Sequence, residues 1–269
     1  MNKAKKRHRR WGILSLLLLA CILLISLRGE RIPSDMANKL APPDLFHPFG
    51  TDYMGRDLFL LTVTGFRNSF LLSAASQLIP VVLGGFLGAL LGFRKGLLDE
   101  VLFHIFNILL AFPILLAAVF MSVFIGTGVI TVLVVISLFG TIYNAKIVRA
   151  EIGQVRNEDF VIALRINGIP ERRIFWHHML PRAYYILFPL IPILVGHSMI
   201  AVSSYSFLGL GVSMSTPEIG LILKDSLRFA HQAPWLIFYP GIFQFAVVLI
   251  FSFYSDSLEA FLKEGGLRS

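Results

Sequence analysis

The ionisable side chains that could do chemistry gather in one polar interval, residues 144–183, between two long apolar runs. Its basic members are Lys146, Arg149, Arg156, Arg165, Arg172, Arg173 and Arg182, and its acidic members are Glu151, Glu158, Asp159 and Glu171. Neither the interval nor the rest of the sequence contains Gly-x-Ser-x-Gly, His-Glu-x-x-His or a Gly-rich phosphate loop with Lys-Ser/Thr. These residues therefore predict recognition by charge and shape, and we expect no catalytic residue and no cofactor bound by this chain.

Metal ligation is not indicated either. The neighbouring His177 and His178 would point about 100° apart on a helix, which makes a poor chelate. His104, His197 and Met199 lie in apolar runs, where helix contacts or positions on a pore wall are the commoner roles. Cys21 is the only cysteine, so no disulfide can form within the chain. We expect no metal site.

Two short helical patterns lie inside the polar interval. The first places these apolar residues mainly on one face: Phe160, Val161, Ala163, Leu164 and Ile166. Gly168 tolerates positive φ and ends it, and Pro170 suits the first turn of a second helix over 171–178. Pro181 is expected to stop that helix. The resulting elbow has an apolar stripe that it cannot bury alone. It is either a docking surface for a partner or a loop packed on its own membrane domain.

The elements that must position this elbow are membrane helices. The chain is 56% hydrophobic and 15% charged, too apolar for an ordinary soluble domain. Stretches of about 20 apolar residues span a bilayer. Six such windows occur, at 11–27, 69–93, 101–124, 127–143, 184–211 and 236–255. We predict an all-α polytopic protein with six transmembrane helices, the first uncleaved. Residues 1–68 would form the N-terminus, first helix and outer segment, and 69–269 a five-helix domain.

The net charge of +8 follows topology and does not indicate nucleic acid. With the N-terminus inside, the inner segments hold 17 Lys and Arg residues and the outer segments hold 7. This bias predicts that both termini and the elbow are cytoplasmic. The windows contain no Asp, Glu, Lys or Arg. Since carriers driven by protons usually need titratable groups at membrane depth, energy is expected to arrive from outside the bilayer.

The outer segment contains a polar run, His47-Pro-Phe-Gly-Thr-Asp-Tyr-Met-Gly-Arg-Asp57. Gly50 and Gly55 permit tight turns, and Asp57 is a plausible N-cap for a helix that starts at Leu58. Arg56 could pair with Asp52. A structured turn is the favoured interpretation, and a ligand site is the alternative; the residues concerned are Gly50, Thr51, Asp52, Gly55, Arg56 and Asp57.

Glycine and proline mark irregular points inside the windows. Gly84, Gly88 and Gly92 form a ladder of small residues that permits close helix packing in lipid. Pro113 should kink its helix, and the 184–211 window, with Pro189, Pro192 and Gly196, is not expected to be straight. Its end, Ser206-Phe-Leu-Gly-Leu-Gly-Val212, permits an irregular backbone at membrane depth. We take as pore or gate candidates Pro113, Ser206, Phe207, Gly209 and Gly211.

Four motifs in order resemble the permease subunits of binding-protein-dependent ABC importers of the peptide and nickel class. The 160–168 and 178–181 segments resemble the EAA loop, with Ile162 where the family has Glu and Leu164 where it has Ala. The outer run is similar to Gly-Thr-Asp-x-x-Gly-Arg-Asp, which marks the second-permease type. Leu110-Ala-Phe-Pro113 follows His104 and Asn107, where the family has Arg and Asp. Ser206-Phe-Leu-Gly-Leu-Gly211 is followed by Thr216-Pro-Glu-Ile-Gly220, with Ile219 in the usual place of Trp.

The resemblance implies a type I importer permease in a bacterial or archaeal cytoplasmic membrane, forming half of a translocation pathway. It implies a second permease, two ATPase subunits that carry ATP and Mg²⁺, a substrate-binding protein and membrane lipid as partners. ATPase coupling would fall to Asp159, Phe160, Ala163, Leu164, Arg165, Gly168, Ile174 and His178. Peptides, nickel and metal chelates remain open as substrates. The alternatives are an ion-coupled carrier and a membrane scaffold whose elbow recruits a soluble partner.

Overall fold

The computed structural model of the protein describes residues 32–211 and 216–266. The predicted first membrane helix at 11–27 and Cys21 therefore lie outside the described residues. Within them the chain is helical, with an isolated bridge between Thr51 and Asp57 but no strand. The α-helices are α1 Leu58–Ile79, α2 Gly85–Arg94, α3 Leu97–Ala111, α4 Ile114–Ile125, α5 Val129–Val155, α6 Asp159–Ile166, α7 Glu171–Ile174, α8 Leu180–Leu187, α9 Ile191–Phe207, α10 Ile219–Ser226 and α11 Trp235–Gly266.

Several of these helices join end to end into membrane-length spans. Four stretches are long and apolar enough to cross a bilayer: Leu58–Arg94, Val129–Val155, Glu171–Phe207 and Trp235–Lys263. The pair α3 and α4 gives a fifth if it is counted as one span, although it bends by 91°. The described residues thus contain four or five spans, and the count of six stays a prediction.

The bend between α3 and α4 exceeds the kink expected at Pro113. Phe112 and Pro113 both have extended backbones, with ψ of 129° and 119°, so the helix ends and restarts there. Proline disfavours helical conformation in the residue before it, which explains the break at Phe112.

Pro181, by contrast, does not stop its helix. The chain stays helical from Glu171 to Phe207 through a π-helical turn at Phe175–Met179 and a 3-10 turn at Phe188–Leu190. Inside a regular α-helix, the ring of Pro181 would clash with the carbonyl four residues earlier. The wider π turn, which ends two residues before Pro181, relieves this clash. The prediction of a separate short helix ending before Pro181 was therefore wrong. The 3-10 turn interrupts the regular α-helix inside the 184–211 window, where the prolines predicted an irregular helix.

The structure also places the boundaries of two segments elsewhere than the sequence predicted. Helix α1 begins at Leu58, so the division drawn at residue 68 falls inside a helix. Helix α5 continues to Val155 and the next long span starts at Glu171. The elbow between them consequently occupies 156–170, a shorter stretch than the polar interval 144–183.

The glycine ladder brings α2 and its preceding π turn against α5, as predicted. A Cβ added at Gly84 would lie 2.8 Å from the Thr141 carbonyl oxygen, and one at Gly88 would lie 2.6 Å from that of Ala145. At Gly92 the corresponding distance to the Arg149 carbonyl oxygen is 2.6 Å. No side chain fits at any of these positions, so the two backbones meet directly.

Candidate functional site

The elbow consists of a tight turn, the helix α6 and a second turn that leads back to the bundle. The Glu158 amide donates to the Val155 carbonyl at 3.0 Å, which closes the first turn. After α6 the Ile169 amide donates to the Leu164 carbonyl at 3.1 Å. Gly168 has φ of +74°, which confirms the predicted left-handed conformation. Pro170 then precedes the first residue of α7.

One face of α6 is part of the protein's own core. Val161 is fully buried, and Leu164 is partly buried against the same cluster. This cluster also contains Ile152 from α5, Ile174 from α7 and Leu187 from α8. Because these side chains come from three neighbouring helices, they fix the orientation of α6 relative to the bundle.

The opposite face of α6 is apolar and exposed. Ile162 is 43% exposed and Ile166 81%, and Ala163 is exposed between them. At about 100° per residue, these three positions lie roughly opposite Val161. Phe160, on the flank, is 45% exposed, and its ring lies 6.3 Å from that of His178. Clustered apolar exposure of this kind outside a membrane span is typical of a docking surface.

Not all of the predicted coupling residues lie on that face. Ile174 is fully buried in the core cluster, so its side chain offers no surface to a partner, and that expectation was wrong. The sequence pattern could not show whether Ile174 packs on the protein's own core or on a partner, because both surfaces would be apolar. Arg165 donates to Glu171 at 2.7 Å across the elbow, while Asp159 and His178 are exposed. Ile162 and Ile166, absent from our coupling set, are the most exposed branched apolar side chains of α6.

The outer run folds into a compact, internally bonded turn. Gly50 and Gly55 have φ of +77° and +70°, as predicted. Asp52, only 2% exposed, accepts from the Arg56 Nε at 2.7 Å and from the Arg56 amide at 2.9 Å. Asp57 caps α1 by accepting from the Leu60 amide at 3.0 Å, and its second oxygen lies 2.8 Å from His47 Nδ1.

Two further side chains of the run, Thr51 and Tyr53, are also engaged within the protein. Thr51, which is fully buried, accepts from the Ala41 amide at 2.9 Å and donates to the Asn38 carbonyl. Tyr53 stacks on Phe229 at 5.5 Å. Burial first, and then the nearby Asp225 carboxylate, raises the pKa of the Tyr53 hydroxyl. The geometry supports a structured turn over a ligand site.

The pore and gate candidates separate into two groups. Phe207 lines a cavity of about 680 Å³ between α9 and α11, and Pro113 lines another of about 370 Å³ beside α9. Ser206 is 1% exposed, and a Cβ at Gly211 would lie 2.2 Å from its Oγ. Gly209 has φ of +82°. Ser206, Gly209 and Gly211 therefore shape the turn that ends α9.

Glu218 is a buried carboxylate whose role sequence reasoning missed. One oxygen accepts from Ser69 Oγ at 2.7 Å and Ser203 Oγ at 2.8 Å. The other accepts from the Gly220 and Leu221 amides at 2.8 and 3.2 Å. Glu218 thus caps α10 and ties it to α1 and α9. Its position in the Thr216–Gly220 run, which resembles a family motif, was the available signal, and it did not indicate which groups the carboxylate would contact.

Polar groups also join α3 to α5. Lys146 Nζ donates to Asn107 Oδ1 at 2.7 Å, which links α3 to α5. One turn away, Arg149 Nη2 donates to the buried Asp99 at 2.8 Å, and the guanidinium lies 4.2 Å from the centre of the Phe103 ring.

Membrane-length helices packed through small residues, with an exposed apolar elbow at one end, define a helical membrane component. A family profile for inner membrane components of binding-protein-dependent transport systems matches residues 84–264. The dipeptide transport system permease protein DppC of Alkalihalophilus pseudofirmus is 30% identical over 264 residues, covering 94% of this chain and 85% of that protein. The nickel transport system permease protein NikC of Escherichia coli is 31% identical over 256 residues, covering 93% and 92%.

A solved structure shows the same fold. The MetNI methionine ABC transporter in inward facing conformations contains a chain that matches with a TM-score of 0.58 and 18% identity, covering 75% of this chain and 95% of that one. The chain belongs to the family of binding-protein-dependent transport system inner membrane components. It is a permease subunit of an ABC importer, integral to the inner membrane and not an enzyme. The predicted family and the all-α importer fold are confirmed.

Proposed function

We propose that this chain forms half of the translocation pathway of an importer for peptides, nickel or metal–chelator complexes. It would pair with a second permease, two ATPase subunits and a substrate-binding protein. The exposed outer face of α6, rigidly backed by a buried inner face, is the observation that carries the proposal. Relatives named for dipeptide and nickel transport support the substrate class.

The elbow has the mechanical properties that ATP-driven coupling requires. A partner that binds Ile162 and Ile166 would push on a helix that cannot rotate, because Val161 is embedded in the core cluster. That cluster includes side chains of α2, α5 and α8, which are parts of three different spans. Movement of α6 would therefore shift the spans together rather than deform the elbow alone.

The 680 Å³ cavity between α9 and α11 fits a pathway that leaves substrate selection to another subunit. Its polar lining includes His197, Ser204 and Gln244, and no Asp, Glu, Lys or Arg lines it among the described residues. Glu218, which accepts a hydrogen bond from the lining residue Ser203, is engaged by four donors in all. A wall without fixed charge does not favour one ionic substrate, so we assign selectivity to the binding protein.

The decisive experiment measures docking and transport together. We expect Ile166→Asp to abolish ATPase association and uptake, because a charge would enter an apolar interface. Leu98→Asp is the matched control, since Leu98 is 78% exposed and lies in the first turn of α3, outside the elbow. Unchanged uptake by a correctly inserted Ile166→Asp protein would contradict the proposal. Uptake by the isolated chain in liposomes under an ion gradient would favour an ion-coupled carrier.

A further inference from the structure

A strongly basic cavity of about 810 Å³ lies on the inner side of the elbow. Its charged lining consists of Arg94, Arg156, Arg165, Arg172 and Glu171. Four guanidinium groups face a single carboxylate there. That carboxylate is already engaged, because Arg165 Nε donates to Glu171 at 2.7 Å. The cavity therefore retains three uncompensated positive charges and fits an anion.

The arginines present donors that the described residues do not use. Arg156 Nη1 is buried and has no hydrogen-bond partner among them. Arg94 and Arg172 form no ion pair within the same part of the chain. A buried donor without an acceptor is costly, and guanidinium forks match phosphate oxygens in geometry. A phosphate group is accordingly the chemistry that these donors recognise.

The cavity lies at the ends of three membrane spans. One span ends at Arg94, a second ends at Val155 beside Arg156, and a third begins at Glu171. Residues at span ends occupy the level of the lipid headgroups. Trp176 lines the cavity and is 49% exposed, as is typical of aromatic side chains at this level.

An apolar surface leads from the cavity along the first described span. Phe86 and Leu90 line the cavity itself. Ile79, Val82 and Leu83, on the same side of the helix, are 51%, 54% and 49% exposed. A soluble phosphate would not need this surface, whereas an acyl chain attached to the phosphate would lie along it.

We infer that the cavity binds the phosphate headgroup of an anionic phospholipid, with an acyl chain along residues 79–83. The site is separate from the docking surface proposed for the ATPase. Arg165 lies on the same face of α6 as the buried Val161. The opposite face carries Ile162, Ala163 and Ile166. The bound lipid would fill the space between the elbow and the span that ends at Arg94, and would stiffen the elbow against the bundle.

The test is native mass spectrometry of the full chain, purified in neutral detergent with phosphatidylglycerol. We expect Arg156→Gln/Arg172→Gln to lower the bound fraction at least about tenfold, because two phosphate-binding guanidiniums are lost. The matched control is Arg173→Gln/Arg182→Gln, which removes the same charge from α7 and α8 outside the cavity. If the double variant does not fold, the exposed Arg172→Gln alone is expected to lower the bound fraction measurably.

Three further measurements distinguish an anionic lipid from other phosphate-containing ligands. Phosphatidylcholine should bind weakly, and glycerol 3-phosphate or inorganic phosphate at equal concentration should not displace phosphatidylglycerol. Displacement by either soluble anion would overturn the assignment to a lipid. Equal loss of phosphatidylglycerol in the control variant would show nonspecific attraction and would also overturn it. If the cavity variant keeps its lipid but loses the ATPase subunit, the arginines belong to a protein interface and the inference is wrong.

Discussion

At the scale of single residues, backbone conformation and buried polar groups determine which substitutions matter. Gly168 has positive φ, yet a Cβ there would meet nothing within 4 Å. The constraint at this position is therefore conformational and not steric. Glu218 shows the opposite situation. Its backbone is extended, which any residue can adopt, and its buried side chain accepts hydrogen bonds from four donors.

Gly168→Val should abolish uptake while leaving the protein in the membrane. A branched residue in the left-handed region costs about 1–2 kcal/mol or more, so the turn would change and α6 would leave its position. Gly168→Asn is the control, because asparagine tolerates that conformation. Uptake assays paired with quantification of membrane-inserted protein test this. Normal uptake by the valine variant would show that the turn is not required for coupling.

Glu218→Ala should lower the free energy of unfolding by at least about 2 kcal/mol, because several buried donors would lose their acceptor. Thermal unfolding in detergent measures the effect. Glu259→Ala is the comparison, since its pair with Lys263 is exposed and contributes less than about 1 kcal/mol. Similar unfolding temperatures for the two variants would mean that Glu218 does not hold α10 in place.

At the scale of helices, features that depend on neighbouring residues could be predicted from the sequence. Features that depend on contacts between distant residues could not. The Asp57 cap and the Gly168 turn depend on neighbouring residues alone, so the sequence was sufficient to predict them. The helix continues past Pro181 because of a π turn, which no residue pattern in the sequence predicts. Ile174 appeared equivalent to Ile166 by type, and only the fold shows that one is core and the other surface. Glu218 lacked any periodic signal because its partners are 149 and 15 residues away.

Gly88→Ala should destabilise the protein by about 1–3 kcal/mol, because the new methyl group would overlap the Ala145 carbonyl of α5. Gly241→Ala is a matched control in α11, where a Cβ would meet nothing within 4 Å. It should be neutral or stabilising by up to about 1 kcal/mol, since alanine favours helix. Thermal unfolding of both variants in detergent gives the comparison. The prediction fails if Gly88→Ala unfolds at or above the temperature of Gly241→Ala.

At the scale of the whole molecule, function depends on which ends of the bundle face the cytoplasm. The elbow and the outer turn lie at opposite ends of Leu58–Arg94 and its neighbouring spans. One end carries the exposed apolar docking face and the arginine cavity. The other carries the internally bonded Asp52 and Asp57 turn. The proposed function requires the orientation in which α6 faces the cytoplasm, where an ATPase subunit could reach it.

The single cysteine makes this orientation directly measurable. In a Cys21→Ala background, Ile166→Cys and Leu45→Cys introduce one thiol each at positions that are 81% and 98% exposed. A membrane-impermeant maleimide should label Leu45→Cys in intact cells and Ile166→Cys only in inverted vesicles, because the excess of Lys and Arg predicts a cytoplasmic elbow. Detergent-solubilised protein, in which both thiols should react, controls for reactivity. Labelling of Ile166→Cys from outside would place the elbow beyond the reach of any cytoplasmic ATPase, and coupling through α6 would then be impossible.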